Sequence, residues 1–408
     1  MLAPMRPSLL EGTPIPISTN LTVDVGLAPG YRCSMKTSLA DEEWNLIVDL
    51  LPSDWRELAW SKGAIKRKRG VCDPDLLLQL ILMHVATGLS LVQAVTRARA
   101  QGLPKMTDVA LLKRLRTSEP WLRELARRMF ETSRFARPKS SILEGRRIRA
   151  VDATTVSEPG ATGTDWRVHY CITIPEMLCD FYELTDVKGG ETLKRIPVEQ
   201  GDIVLCDRGY STRQGVAYVV DAMGDVVVRL NSTALPLLDA KGVREFPLLE
   251  NLRTLYKHKP SEWRVCFKNS NKTYAARVCA IRKSRQSAER AKNAILRAAK
   301  KKGRKVKPDT LELAEYTFVL TTLESGILSA KKVLDLYRAR WQIELCFKRL
   351  KSLLKLGHLP KWSDDSAHAW IEAKLLTVLL IEALLDKARF FSPWGFESTT
   401  PESMEGVH

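Results

Sequence analysis

Trp166-Arg167-Val168-His169-Tyr170-Cys171-Ile172-Thr173-Ile174, then Pro175-Glu176, then Met177-Leu178-Cys179-Asp180-Phe181-Tyr182-Glu183-Leu184, is the stretch whose reading decides the fold class. Both apolar segments are rich in β-branched and aromatic residues, which suit a pleated, half-buried surface, and Pro175-Glu176 offers the turn between them. A further strand is expected at 147–151, and others at 203–206 and 226–230, with helical spacing over about 212–222 between these last two. Three consecutive strands followed by alternating strand and helix imply a mixed α/β sheet. The expected arrangement is ribonuclease H-like.

Upstream, residues 1–37 are rich in Pro, Ser, Thr and Gly and lack helical periodicity, which predicts an extended or disordered lead. Residues 38–138 read as an all-helical N-terminal domain. Asp73-Pro74 supplies an N-cap and a first-turn proline and Gly88 a stop, Ser90 caps the next helix, and Thr107 or Asp108 begins a third. That third helix carries Lys113, Arg114 and Arg116 beside Leu111, Leu112 and Leu115. Short helices in tight succession with a basic last member are compatible with a DNA-binding helix-turn-helix module, and equally with a plain bundle whose basic face is solvated.

Downstream of the first core segment, 139–230, an insertion is expected over 231–315. It holds strand candidates at 263–268 and 274–281, then a basic run over 282–307 with twelve Lys or Arg and one acid, Glu289. The run is helical at first and loop-like after Gly303; DNA contact and a solvated linker are its two readings. A buried strand is expected at 316–322 and a long helix over 328–356, within a second core segment, 316–390, followed by a tail, 391–408. The apolar segment 371–385 is interrupted by Glu372, Lys374 and Glu382, so it reads as a buried or amphipathic helix and not as a membrane span.

A chain of 408 residues suggests two or three domains. Its formal net charge of +17 favours a polyanionic partner. The charge is uneven: residues 141–230 hold 14 acidic and 10 basic side chains, a net of −4, leaving +21 elsewhere. An acidic centre in a basic protein is the distribution expected of a cation-binding site surrounded by a nucleic-acid surface. The eight cysteines form no CxxC pair, which points to reduced thiols in a cytoplasmic protein and argues against a zinc site. No signal peptide is evident at the N-terminus.

The chemistry is expected from two places. Asp152 follows the strand 148–151 and Asp207 follows 203–206, positions where rigid backbone would aim a carboxylate out of the sheet edge. On the 328–356 helix, Tyr337, Arg340, Glu344 and Lys351 stand at i, i+3, i+7 and i+14, within an arc of about 60° at 100° per residue. From composition such a pattern is expected about 0.02 times in a chain of this make-up, so it is specific. A salt-bridged, solvated helix face is the alternative. Asp152, Asp207 and Glu344 together would repel one another unless divalent cations were bound. Two Mg²⁺ ions about 3.5–4 Å apart, with Asp152 bridging them, would suit an in-line phosphoryl displacement, and Mn²⁺ is expected to substitute. His169, between Val168 and Tyr170 on a strand, reads as structural. Arg208 either touches phosphate or pairs with an acidic neighbour.

Val151-Asp152-Ala153-Thr154, Trp166-Arg167-Val168-His169, Cys206-Asp207-Arg208-Gly209-Tyr210 and the Tyr337, Arg340, Glu344, Lys351 spacing resemble the DDE transposases of bacterial insertion sequences, specifically insertion sequence family four with its Tyr-Arg-Glu-Lys signature. The resemblance covers about residues 145–360. It implies that Asp152, Asp207 and Glu344 bind the metals and that Tyr337, Arg340 and Lys351 contact phosphates and a flipped nucleotide at the transposon end. It also implies a β-rich insertion between Asp207 and Glu344, cleavage through a DNA hairpin, strand transfer by the freed 3′-hydroxyl, and a homodimer on paired ends. Where such transposases stack the extruded base on tryptophan, 28 residues before the glutamate, this chain has Tyr316. The expected partners are double-stranded DNA of the terminal inverted repeats and of the target, with no membrane; the expected location is the nucleoid of a bacterial cytoplasm. A standalone two-metal nuclease and a catalytically inactive, transposase-derived DNA-binding protein are the competing readings.

Overall fold

The computed structural model describes residues 39–66, 73–103, 106–136, 143, 145–160, 165–256, 259–360 and 364–389. The expected lead at 1–37 and tail at 391–408 lie outside them. Helices come first: α1 (Leu39–Val48), α2 (Trp55–Ser61), α3 (Pro74–Thr87), α4 (Leu91–Ala100), α5 (Asp108–Thr117) and α6 (Glu119–Ala136). Local chemistry sets their ends. Asp73 accepts from the Asp75 amide at 3.0 Å ahead of Pro74, and Gly88 closes α3 in the left-handed region at φ 73. Ser90 and Gln93 cap α4 reciprocally, and Thr107 accepts from the Ala110 amide at 3.2 Å to start α5. Each such cap contributes about 1 kcal/mol. Trp121 stacks on Trp55, with ring centroids 6.1 Å apart, and donates its indole N–H to the Trp55 carbonyl at 3.0 Å.

The remaining elements are β1 (Ile148–Val156), β2 (Trp166–Ile174), β3 (Cys179–Asp186), β4 (Ile203–Cys206), α7 (Arg213–Asp221), β5 (Asp225–Arg229), α8 (Leu248–Arg253), β6 (Ser261–Asn269), β7 (Lys272–Arg282), α9 (Arg285–Lys301), α10 (Pro308–Leu313), β8 (Tyr316–Thr321), α11 (Ala330–Ala339), α12 (Trp341–Leu353) and α13 (Asp364–Arg389). All eight strands join one mixed sheet in the order β3-β2-β1-β4-β5-β8-β7-β6. β1, β2 and β3 are antiparallel neighbours, β4 and β5 run parallel to β1, and β8, β7 and β6 extend the sheet antiparallel. Val204, Cys206, Val226 and Val228 bury one face of the parallel part with Val216 and Val219 of α7. The fold is therefore mixed α/β, as the strand pattern predicts.

The strands expected in the 231–315 stretch form as β6 and β7: β7 pairs with β8 from Arg277↔Thr321 to Arg282↔Tyr316, so both continue the main sheet. The run Ala276, Arg277, Val278, Cys279, Ala280 in β7 is buried without alternation, which only a strand covered on both faces can satisfy. The long helix expected over 328–356 is broken at Arg340 into α11 and α12. The Arg340 amide donates to the Tyr337 carbonyl at 3.1 Å and the Ile343 amide to the Arg340 carbonyl at 3.2 Å, so the ladder tightens locally to three-residue spacing.

α13 ties the helices to the sheet. It packs along α3, α5 and α6, while its Glu372 accepts from the Tyr182 hydroxyl at 2.6 Å and its Glu382 accepts from the Cys179 amide at 2.8 Å and the Tyr170 hydroxyl at 3.3 Å. Ile371, Ala373, Leu375 and Leu376 are buried between these partners, as expected for 371–385. Among the described residues no helix is long and apolar enough to cross a membrane. The described cysteines are free thiols, all buried except the half-buried Cys346.

Candidate active site

β1 and β4 are parallel, and their last paired residues are Val151 and Cys206. The next residue on each strand is an aspartate, Asp152 and Asp207, on backbones roughly 4.8 Å apart. Asp152 is half-buried and accepts from the Ala153 amide at 2.8 Å. Burial, aided by the charges of Asp207 and Glu191 and opposed by the Ala153 bond and by Arg340, raises its carboxyl to about 6. Asp207 caps the single turn Arg208–Tyr210, accepting from the Gly209 amide at 2.7 Å.

Arg340, at the break between α11 and α12, links the aspartates to the helical residues. Its Nη2 donates to Glu344 at 2.5 Å, its guanidinium lies 5.7 Å from the Tyr337 ring centroid, and its charge reaches Asp152. The break turns this guanidinium inward, and its Nε is buried without a partner. Glu344 reaches the site on α12, which packs against β1. Asp152 and Asp207 thus stand together, whereas Glu344 is held on Arg340. Among the described residues no three His, Cys, Asp or Glu side chains converge closely enough, as they stand, to hold a metal ion. Tyr337 is half-buried: burial raises its hydroxyl, against the pull of Arg340 and Arg229.

The other expected residues divide. Lys351, further along α12, and Arg208, beside Asp207, are exposed and make no hydrogen bond or ion pair among the described residues. Tyr316 is a core residue: it is 4% exposed and packs in a cluster with Leu252, Leu255 and Ala280, with the Arg282 guanidinium 5.8 Å from its ring centroid. In this structure the ring is packed in the core. On α5, Lys113 is exposed, but Arg114 donates to the Ala64 carbonyl at 3.2 Å and Arg116 to Ser366 at 2.7 Å. Those two arginines are engaged within the helical layer. His169 is structural, as expected: it is 1% exposed, its Nε2 is 3.0 Å from the Thr185 hydroxyl, and burial with the charges of Arg195 and Arg167 lowers it to about 4.

Two residues at the site went unassigned from sequence. Glu191 stands beside Asp207: its Oε2 and Asp207 Oδ1 lie 2.5 and 3.1 Å from where a Cβ on Gly209 would be, and, although the residue is exposed, partial desolvation of its carboxyl and the Asp207 charge raise it, against Arg167. Its loop is anchored by Arg167, which donates to the Gly189 carbonyl at 2.6 Å. Tyr210 is 1% exposed, and its buried hydroxyl has no partner among the described residues. Burial raises that hydroxyl further, helped by the charges of Asp152, Glu191 and Asp207 around it. The available signals were Gly189-Gly190, which permits a close backbone approach, and the tyrosine three residues after Asp207.

The chain matches the family described as the transposase DDE domain over residues 183–380. It is 34% identical over 363 residues to the transposase for insertion sequence element IS421 of Escherichia coli, covering 86% of this chain and 96% of that one. The same identity and coverage, over 362 residues, hold for the InsL protein of insertion sequence element IS186A of Escherichia coli strain K12. A solved piggyBac transposase synaptic complex with hairpin DNA is a weaker likeness, with 10% identity and a TM-score of 0.40 over 85% of this chain and 75% of that one. Sequence similarity running through nearly the full length of the Escherichia coli proteins shows that the chain belongs to the DDE-domain transposases of bacterial insertion sequences.

Proposed function

We propose that this transposase cuts DNA at the ends of its element, through a hairpin on the element end, and joins the freed 3′-hydroxyl to target DNA, with Asp152, Asp207 and Glu344 as its acidic triad. The observation that carries the reading is that Asp152 and Asp207 each follow directly on the last register pair, Val151↔Cys206, of the neighbouring parallel strands β1 and β4. A five-strand ribonuclease H-like core, β3-β2-β1-β4-β5, with an antiparallel meander followed by parallel strands, is the arrangement that best accounts for this placement.

The donors fit a hard divalent cation, Mg²⁺ or Mn²⁺. Both aspartates offer carboxylate oxygens, and Asp152 is raised by burial first and by the charges of Asp207 and Glu191 next, against the Ala153 bond and Arg340, so its ionised form has room for a cation's stabilisation. Asp152 and Asp207 would hold the cation, with Glu344 joining once Arg340 releases it. Such a cation, when bound, supplies Lewis-acid activation of the attacking oxygen and stabilisation of the leaving one. The protein's own part is orientation. Asp152 is fixed by the sheet, Asp207 by its bond to Gly209, and Glu344 by α12. Arg340 is the group that exchanges partners: a DNA phosphate is a stronger bidentate acceptor than one carboxylate oxygen, and moving to it would free Glu344 for the triad. Tyr337 lines the guanidinium on its other side, and Lys351 and Arg208 are solvent-facing cations for the DNA backbone. Several cleavages by one site at two ends call for two copies on paired DNA.

The test is incubation of purified protein with duplexes ending in the element's terminal repeat, in Mg²⁺, followed by denaturing electrophoresis. Hairpin-sized product that disappears with Asp152→Ala is expected. Nicked product with no hairpin and no joined strand would favour a nuclease, and activity surviving Asp152→Ala would remove the triad.

A further inference from the structure

We propose that Glu191 is a fourth acidic residue of the cation site and that Tyr210 is a positioning residue whose hydroxyl holds the carboxylates in place when the cation is bound. The inference rests on the reading of Asp152 and Asp207 as cation ligands and adds two residues to it.

Three independent features meet here. First, space is kept for the Glu191 carboxylate. The residue facing it is Gly209, and a Cβ at that position would lie 2.5 Å from Glu191 Oε2 and 3.1 Å from Asp207 Oδ1, so the two carboxylates share one side of this glycine. A glycine between Asp207 and Tyr210 thus lets a fourth carboxylate approach the aspartate pair. Second, the Glu191 loop is fixed from behind. Gly189 approaches Thr185 so closely that a Cβ would meet its Oγ1 at 2.2 Å, and Arg167 of β2 donates to the Gly189 carbonyl at 2.6 Å. Glu191 is therefore delivered by a held backbone. Third, the Tyr210 hydroxyl, next in the chain to Gly209 and three residues after Asp207, is buried and has no hydrogen-bond partner among the described residues. A buried donor left unsatisfied is costly, and native proteins keep such groups where a ligand-bound state completes them. The carboxylates flanking Gly209 are the acceptors the proposal assigns to it.

The division of labour follows from the ion pairs. Glu344 is engaged by Arg340, and Glu191 lies with Asp207 at Gly209. Before DNA draws Arg340 away, Glu191 would become the third acidic group of a first cation by closing on the aspartates, since the three carboxylates do not converge as they stand. A phenol donating to one carboxylate oxygen leaves the other to the metal and fixes its direction, the usual role of a group that supports a metal ligand.

The experiment is Mn²⁺ titration of the full chain without DNA, with free Mn²⁺ followed by electron paramagnetic resonance. Wild type, Glu191→Gln, Tyr210→Phe and Glu191→Asp are compared, with Asp152→Asn as the reference for a lost ligand. Glu191→Gln and Tyr210→Phe are expected to weaken Mn²⁺ binding at least tenfold while circular dichroism stays unchanged, with Glu191→Asp recovering part of the affinity. Wild-type Mn²⁺ affinity in both Glu191→Gln and Tyr210→Phe would overturn the proposal. Should Mn²⁺ bind neither wild type nor any variant, the underlying assignment of Asp152 and Asp207 fails with it, which separates the two outcomes.

Discussion

Replacing Asp152 by asparagine should make the metal-free protein more stable while removing its activity. The native carboxyl sits at about 6 against an ordinary 3.8 because burial, with Asp207 and Glu191 nearby, disfavours its charge. The folded chain therefore holds this proton more tightly than the unfolded chain. The stability this confers is complete below pH 3.8 and is lost as pH rises through 6. At 1.36 kcal/mol per pH unit, the interval corresponds to about 3 kcal/mol of destabilisation once Asp152 is ionised. Asparagine keeps the oxygen that accepts from the Ala153 amide and carries no charge. In EDTA at pH 8, urea or thermal unfolding should show Asp152→Asn more stable than wild type by up to about 3 kcal/mol, and at pH 4 the two should converge. Adding Mg²⁺ at pH 8 should raise the midpoint of wild type and leave Asp152→Asn nearly unmoved, by the linkage of binding to folding. A variant that is less stable than wild type at pH 8, or a difference that does not change with pH, would refute the reasoning that this site stores unfavourable charge for a cation.

Two further outcomes test other parts of the molecule. At 100° per residue Arg290, Arg297 and Lys301 of α9 fall within about 40° of one another; all are exposed and make no ion pair among the described residues, so changing all three to glutamine should flatten the slope of log affinity for duplex DNA against log salt by about 2.7, and an unchanged slope would make α9 a solvated face. Glu372, 2% exposed, is raised from 4.5 to about 7 by burial, against the Tyr182 hydrogen bond, so its stabilising contribution is complete below 4.5 and lost above 7; Glu372→Gln should raise the unfolding midpoint at pH 8.5, by up to about 3 kcal/mol, and have no such effect at pH 4, and destabilisation at pH 8.5 would mean that the charge is used.

How far the sequence reveals this molecule depends on whether a feature is local. Asp73, Gly88, Ser90 and Thr107 announce their helix ends because caps are satisfied within three residues. The strands β2 and β4 have the bounds that their apolar composition predicts. Asp152 and Asp207 are legible because each follows an apolar strand, although only the parallel register brings them side by side. What escapes is set by contacts distant in sequence. β6 and β7 are legible as strands, but not their place in the sheet, because β7 finds β8 across roughly forty residues. Arg114 and Arg116 look like free DNA contacts until Ala64 and Ser366 appear beside them. Tyr316 aligns with a base-stacking position, but its neighbours Leu252, Leu255 and Ala280 make it core. The break at Arg340 lies in a stretch with no proline or glycine to announce it, and only the Glu344 bond and the inward guanidinium show what it serves. Glu191 was one acid among many in the sequence, and only the fold places it beside Asp207.

The central claim is that Asp207 binds a metal ion used in cutting DNA, and the most direct measurement is cleavage of terminal-repeat duplex by Asp207→Cys in Mg²⁺ and in Mn²⁺. Thiolate is a poor ligand for Mg²⁺ and a better one for softer ions. The account predicts cleavage lost in Mg²⁺ and partly restored in Mn²⁺, with Asp207→Ala inactive in both. Wild-type cleavage by Asp207→Cys in Mg²⁺, or by Asp207→Ala in either ion, would contradict it.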